Sequence, residues 1–579
     1  MFYARMILRF ALVLIHSSCL FAQGLLNQQA YIIQSNGSIV TQQHFTNNGR
    51  FTQRNGTFVF AGNAMVQKLK GTVPVSFHQL HIAPGSNTLL ESGGHSIKST
   101  LKSDGLLNAN NNITLLSTIS RTAAVDGTGL GEISGNLTMQ AYLANGYGYK
   151  YLGAPFQSAT VNELAAYVNL SAAFPSVYRF EENVLSNGWV NYMAAGNLLE
   201  PMRGYAFQFG NSNLPKTIAM TGVVNNGLRS LSLNNNNKIY TKGYHLISNP
   251  YPSPIDWDEA LGWTKINIDN AIYYFDTDEQ SIYTGVYNTY INGISSNGLA
   301  NNFIPAMQGF FIHVSDGGYP VAGTLSVNNN ARLTHITQAH RELNALNDYQ
   351  YLRLSVQLEG AKIADPLVIY FSPNARDTFH QQFDALKLMN TSDRAPNLYS
   401  MKQAKLLSIQ SLRSIQLSTQ VPIGIMAKSS GAYVFKNTNI TSLPAGIYCY
   451  LYDSLSKNYV DLKKNTAYKV QMNAGENNRR FSIVFSKTPI NQAVGVEPNN
   501  GGNGFQVSVI RQKVYITLPD YNGQLQSVQV TNLHGQKHYY QTFTQGGKYL
   551  LESPFPSGVY IITHWHNQTY SSKKIFIPQ

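Results

Sequence analysis

The chain has 579 residues, 12% of them charged, 12% aromatic and 43% apolar, with a formal net charge of +13. Charge at about half the usual share excludes a charged, disordered tail protein, and a slightly negative mean hydropathy excludes a polytopic membrane protein. The polar surface falls instead to Asn, Gln, Ser, Thr and Tyr, which suit turns and strand faces better than helices. The fold class is therefore mainly β, in about three to five domains.

In chain order, the first element is a leader over residues 1–22. Arg5 and Arg9 precede a short apolar run, small residues follow, and cleavage is expected between Ala22 and Gln23. A lipid anchor on Cys19 would need a Leu-like residue three positions earlier, where the chain has His16. No later run is long enough to span a bilayer, so no transmembrane segment is expected in the mature chain. Removing the leader leaves a formal charge of 42 − 2 − 29 = +11 and one cysteine, Cys449, which has no intramolecular disulfide partner. The basic residues are scattered, which argues against nucleic acid as a partner.

Residues 23–140 show brief apolar pulses such as Phe58-Val59-Phe60, Leu80-His81-Ile82 and Ile113-Thr114-Leu115. Such pulses fit the rungs of a β-solenoid, with an irregular small sandwich as the alternative. An internal repeat follows. Tyr149-Lys-Tyr-Leu-Gly-Ala-Pro155 matches Tyr244-His-Leu-Ile-Ser-Asn-Pro250 at an offset of 95, and Tyr178-Arg-Phe180 matches Tyr273-Tyr-Phe275 at the same offset. Pro201-Met-Arg-Gly204 then corresponds to Ala306-Met-Gln-Gly309, giving two β-rich units over 141–230 and 231–332. After a polar connector, strands with period two, beginning at Tyr351-Leu-Arg-Leu-Ser-Val-Gln-Leu358, predict an antiparallel β-sandwich over 348–488. Residues 489–504 are rich in Gly and Asn and read as a linker, and 505–579 carry six or seven short alternating strands, an Ig-like sandwich.

This last unit resembles the C-terminal sorting domain recognised by the type IX secretion system of Bacteroidota. The resemblance is carried by Leu533, Gly535, Gln536 and Lys537 at a turn, by Pro556, Gly558 and Tyr560 at a late strand, and by Lys573 and Lys574 in the last strand. The family's usual Pro-Asn-Pro start is replaced here by Pro498-Asn-Asn. The resemblance implies export through the leader, passage across the outer membrane with the type IX machinery as partner, removal of the unit, and release or attachment at the cell surface. Asn249-Pro-Tyr-Pro-Ser-Pro-Ile-Asp256-Trp257 is also similar to repeats of large surface proteins from those bacteria.

Catalytic patterns are thin. The sequence has no His-Glu-x-x-His, Gly-x-Ser-x-Gly or phosphate-loop motif, and neither a metal nor a cofactor is expected. Asp276, Asp278 and Glu279 read either as a solvated turn or as a calcium loop, and His564 with His566 as surface histidines or a half-built metal site. Asp256, Asp258, Glu259 and Asp276 offer carboxylates for glycoside hydrolysis, with no scaffold to choose among them. Trp257 and Trp263, with Trp189 near the other hairpin, read either as core packing or as a platform on which sugars stack. The expectation is a non-enzymatic, modular surface or secreted protein, adhesive or structural. The alternative is a glycan-binding or polysaccharide-active protein, with lipopolysaccharide or extracellular polysaccharide as partner.

Overall fold

The computed structural model describes residues 20–22, 24–184, 186–335, 349–415, 418–440, 443, 445–490, 505–510, 512–552, 555–567 and 569–577. Residues 1–19 and Gln23, which carry the leader and one side of its cleavage site, lie outside the described residues, as do most of the connector before Tyr351 and of the linker. Ala22 ends a strand, Leu20–Ala22, paired in parallel with Ser38–Thr41. The chain divides into two compact units, residues 1–488 and 489–579. Among the described residues the only helical turns are Val161–Leu164 and Asn329–Ala331, so the fold is mainly β.

The front of the first unit is a parallel β-solenoid. One sheet stacks Leu25–Asn27, Phe45–Asn47, Val66–Lys70, Asn87–Leu90, Leu106–Asn108 and Glu132–Ser134. Another stacks Ser38–Thr41, Thr57–Phe60, Ser76–Ile82, His95–Ser103, Ile113–Leu115 and Leu137–Leu143. Each rung puts one or two large apolar residues inside: Phe45 and Phe58 stack at 5.0 Å between ring centres, with Phe51 and Phe77 against them. The abundance of Asn has a structural use here. Asn27 Nδ2 donates to Asn47 Oδ1 at 2.7 Å and Asn47 Nδ2 to Val73 O at 2.8 Å, so successive rungs are joined by buried amides as well as by backbone. The final strand, Leu137–Leu143, also pairs antiparallel with Lys216–Gly222 and so belongs to the next layer too.

The two repeats have the same strand order. In the first, Gly146–Leu152 pairs with Tyr205–Ser212, which pairs with Val177–Phe180, which pairs with Trp189–Asn191. In the second, Tyr244–Ser248 pairs with Gly309–His313, then Ile272–Thr277, then Gly285–Ile291. A flanking antiparallel strand pair brackets each, Leu137–Leu143 with Lys216–Gly222 and Arg229–Asn235 with Val321–Val327.

The repeats interlock reciprocally. Met202 and Met307, matching residues of the two units, both adopt a left-handed backbone with φ of 66° and 64°. Each is buried in the other repeat's core: Met202 beside Ile247, Tyr251 and Trp257, Met307 beside Leu152, Phe156 and Phe207. The backbone repeats the exchange. Gly153 N donates to Met307 O at 2.9 Å, and its counterpart Ser248 N to Met202 O at 2.8 Å. Gly153 and Ser248 face each other so closely that a Cβ on Gly153 would stand 1.8 Å from Ser248 Oγ.

Residues 351–486 form one 12-stranded sheet folded around a core of Leu354, Ile369, Ile423, Leu451 and Phe481 among others. It is antiparallel except where Asp365–Phe371 runs parallel to Lys405–Leu412. Cys449 is buried in this core, and desolvation pushes its thiol pKa far up, the signature of an inert packing residue. The second unit is a separate small sandwich. A sheet of Gln506–Ile510, Lys513–Leu518 and Gly547–Leu550 faces one of Lys537–Phe543, Gln526–Asn532, Gly558–His566 and Thr569–Ile577, enclosing Phe505, Ile516, Val528, Val530, Ile562 and Ile577.

Candidate functional site

Two places collect the residues singled out in the sequence. The first is a cleft of about 430 Å³ in the second repeat, lined by Trp257, Asp258, Glu259, Trp263, Lys265, Asn270 and Asn292. Strand Ile255–Asp256 leads Trp257 inward, and Trp263–Ile266 brings Trp263 and Lys265 to one face because strand residues two apart point the same way. The two indoles meet edge to face with centres 4.6 Å apart. Trp257 is fully buried, its Nε1 donating to Asn270 O at 2.8 Å. Lys265 Nζ sits 3.6 Å from the Trp257 ring centre and covers the remaining face. The reading of Trp257 as a sugar platform is thereby corrected: its indole is core, and only Trp263, half-buried with Nε1 bonded to Asp256 O, stays at the rim.

Lys265 gives this cleft its chemistry. Its ammonium donates to Asn270 Oδ1 at 2.8 Å and to Trp257 O at 3.1 Å. Burial against the indoles lowers its pKa to about 7, while Asp258 and Asp256 pull it back up. Tyr290 donates to Asp258 Oδ2, and Asp256 Oδ1 accepts from Asp258 N and Asn302 Nδ2. The nearby carboxylates are thus turned to separate partners instead of facing one another across the cleft. Lys265, Asn270 and Tyr290 were not legible as a group, although the spacing of Trp263 and Lys265 on one strand was a usable signal.

The Asp276, Asp278 and Glu279 carboxylates diverge. Asp276 accepts from Asn288, Asp278 from Ser392 Oγ at 2.7 Å, and Glu279 pairs with Lys362 at 3.4 Å. Trp189 packs among Tyr151, Phe180 and Phe311. A more exposed aromatic pair that the sequence did not disclose is Phe174 with Tyr283, 56% and 51% exposed and 5.0 Å apart.

The second place is the small C-terminal sandwich. Leu533, Gly535, Gln536 and Lys537 form the hairpin turn between Gln526–Asn532 and Lys537–Phe543. Asn532 Oδ1 accepts from His534 N and Gln536 N, both at 3.0 Å, and Gly535 has φ of 78°, which explains the glycine. Leu533 is exposed. Pro556, Gly558 and Tyr560 make a corner in which the buried Tyr560 donates its hydroxyl to Pro556 O at 3.0 Å. Lys573 and Lys574 lie on the last strand opposite Ile562 and Ile561. On one face of this sheet the cross-strand pairs Val559–Phe576, Ile561–Lys574, Thr563–Ser572 and Trp565–Tyr570 follow one another, with Tyr570 and Phe576 exposed. His564 and His566 bond separately to Gln526 and Gln524, and Tyr521 stacks on His566 at 3.5 Å.

Among the described residues no three His, Cys, Asp or Glu side chains converge as a metal site, and no helix is long and apolar enough to cross a membrane. A search of curated proteins finds no match. A family model described as a domain of unknown function, DUF8693, matches residues 41–485, which takes in nearly all of the solenoid, both repeats and the large sandwich. The matched span is most of the chain, and the chain belongs to the DUF8693 family.

Proposed function

We propose that this chain is an exported surface or secreted protein that works by binding and not by catalysis, with residues 505–579 acting as the sorting unit for the type IX machinery. The observation that carries the reading is the self-contained core of the C-terminal unit, in which Tyr560 is buried and both the Leu533–Lys537 turn and the Lys573/Lys574 strand lie at the surface. An address label has to fold without its cargo and keep its recognition residues exposed. The solenoid, repeats and sandwich then form a stiff display scaffold, adhesive or structural through many weak contacts. In a type IX-competent Bacteroidota host, deletion of residues 505–579 is expected to hold the protein in the periplasm. Undiminished surface appearance of the truncated chain would refute the sorting role.

A second reading, glycan binding, draws on the cleft beside Trp263, where an indole edge borders Asp258, Glu259 and two asparagines. Trp263→Ala is expected to reduce retention on bacterial polysaccharide; unchanged retention counts against this reading.

A further inference from the structure

The large sandwich holds a lysine and an aspartate withdrawn from water. Lys387 follows the short strand Ala385–Leu386, Asp365 opens Asp365–Phe371, and their side chains are 1% and 0% exposed. Lys387 Nζ stands 2.6 Å from Asp365 Oδ1 and 2.6 Å from Oδ2. Two equal separations that short put Nζ within about 3 Å of Cγ, at the near edge of reactive approach for a nucleophile and a carbonyl carbon. Leu398 N–H donates to Oδ2 at 2.5 Å. A neighbouring pair in the same sheet shows what an ordinary buried ion pair looks like here. Lys402 meets a single oxygen of Asp384 at 2.9 Å and also donates to Ser411 O, while the other Asp384 oxygen is taken by Ser411 N and Oγ.

We propose that Lys387 and Asp365 join as an intramolecular amide. The ammonium passes a proton to Oδ1, and the freed lone pair on Nζ attacks Cγ. The charge that develops on Oδ2 is held by the Leu398 N–H, a backbone donor already in place. A second proton moves from nitrogen to Oδ1, which leaves as water. One C–N bond forms and one C–O bond breaks, the third proton stays on the amide nitrogen, and no oxidant, reductant or co-reactant is consumed. The link ties positions 22 residues apart, in a chain whose buried Cys449 has no disulfide partner. It restricts the unfolded chain as a disulfide would. The inference is independent of the export reading.

The test uses the purified full chain under denaturing conditions, so folding of the variants does not limit it. Wild type is expected to weigh one water less than the same chain unlinked, and trypsin to leave peptide 363–376 attached to 377–394 with Lys387 uncut. The bond Asp365–Pro366 is the chain's one Asp–Pro bond. Dilute acid cleaves such bonds through a free β-carboxyl, so linked chains stay whole. Lys387→Met restores the unlinked mass and lets dilute acid cut the chain in two. A wild type of full mass, split by acid after Asp365, overturns the proposal.

Discussion

The sheet that begins with Gly146–Leu152 and the one that begins with Tyr244–Ser248 run through the same strand order, and the second has a tryptophan cleft beside it. The residues shared between the repeats are those that make backbone geometry: tyrosines of the first strand, the proline at the bend, the left-handed methionine and the glycine after it. The cleft residues Trp257, Trp263 and Lys265 have no matching set. Duplication has kept what assembles the pair and left the adjoining loop to diverge. Their contact is also self-complementary, since each repeat offers the other a methionine and a carbonyl and accepts the same in return.

The sharpest way to break this symmetry is Gly153→Val, which drives a side chain into Ser248 Oγ and Arg203 O. It is expected to cost at least about 3 kcal/mol, whereas Ser248→Gly across the same contact costs about 1 kcal/mol through its lost hydrogen bond to Arg203 O. Denaturant midpoints followed by tryptophan emission measure both, and equal effects would show that the close approach does not govern the pair. Next come Met202→Ala and Met307→Ala, each expected to cost about 3 kcal/mol by opening a cavity in the opposite core. A large difference between the two would mean that the exchange is reciprocal in geometry and not in energy.

Two titrating groups separate the repeats further. His245 is buried and desolvation lowers its pKa from 6.5 to about 4, while Lys150 occupies the matching place in the first repeat. The unfolded chain takes up a proton between those values and the folded chain does not, so stability falls as pH drops from 6.5 to 4, by no more than about 3 kcal/mol. His245→Gln should flatten that slope, and an unchanged slope would assign it to other groups. A slope of its own belongs to Lys265 in the second repeat, lowered from 10.5 to about 7. Between those values the unfolded state holds the extra proton, so stability rises with pH, and Lys265→Met should remove the rise. Comparing midpoints at pH 7 and pH 9 in wild type and variant checks it.

How much of this was legible depended on whether the signal was local. Tyr149/Tyr244 and Gly204/Gly309 announced the repeat because strand and turn residues recur in the same order, 95 apart and then 105 apart after about ten inserted residues, and the short pulses of the front segment matched rungs about 20 residues long. The reciprocal insertion of Met202 and Met307 was hidden, because nothing in either tetrapeptide says which core receives it. Trp257 was ambiguous for the same reason: a tryptophan beside a bend packs inward or outward according to a strand direction set by pairing with Phe303–Ile304. The meeting of Lys387 with Asp365 leaves no pattern in a sequence, since it depends on the parallel pairing of Asp365–Phe371 with Lys405–Leu412.

Strand Leu137–Leu143 gives the molecule a mechanical property. It is at once the last rung of the solenoid and one member of the strand pair that brackets the first repeat, so neither module can peel away while the other stays intact. Tension drawn along the chain from the front parts the earlier rungs first and reaches the first repeat only through this shared strand, where the antiparallel ladder with Lys216–Gly222 must also break, so the junction behaves as a weld where most multi-domain chains have a hinge.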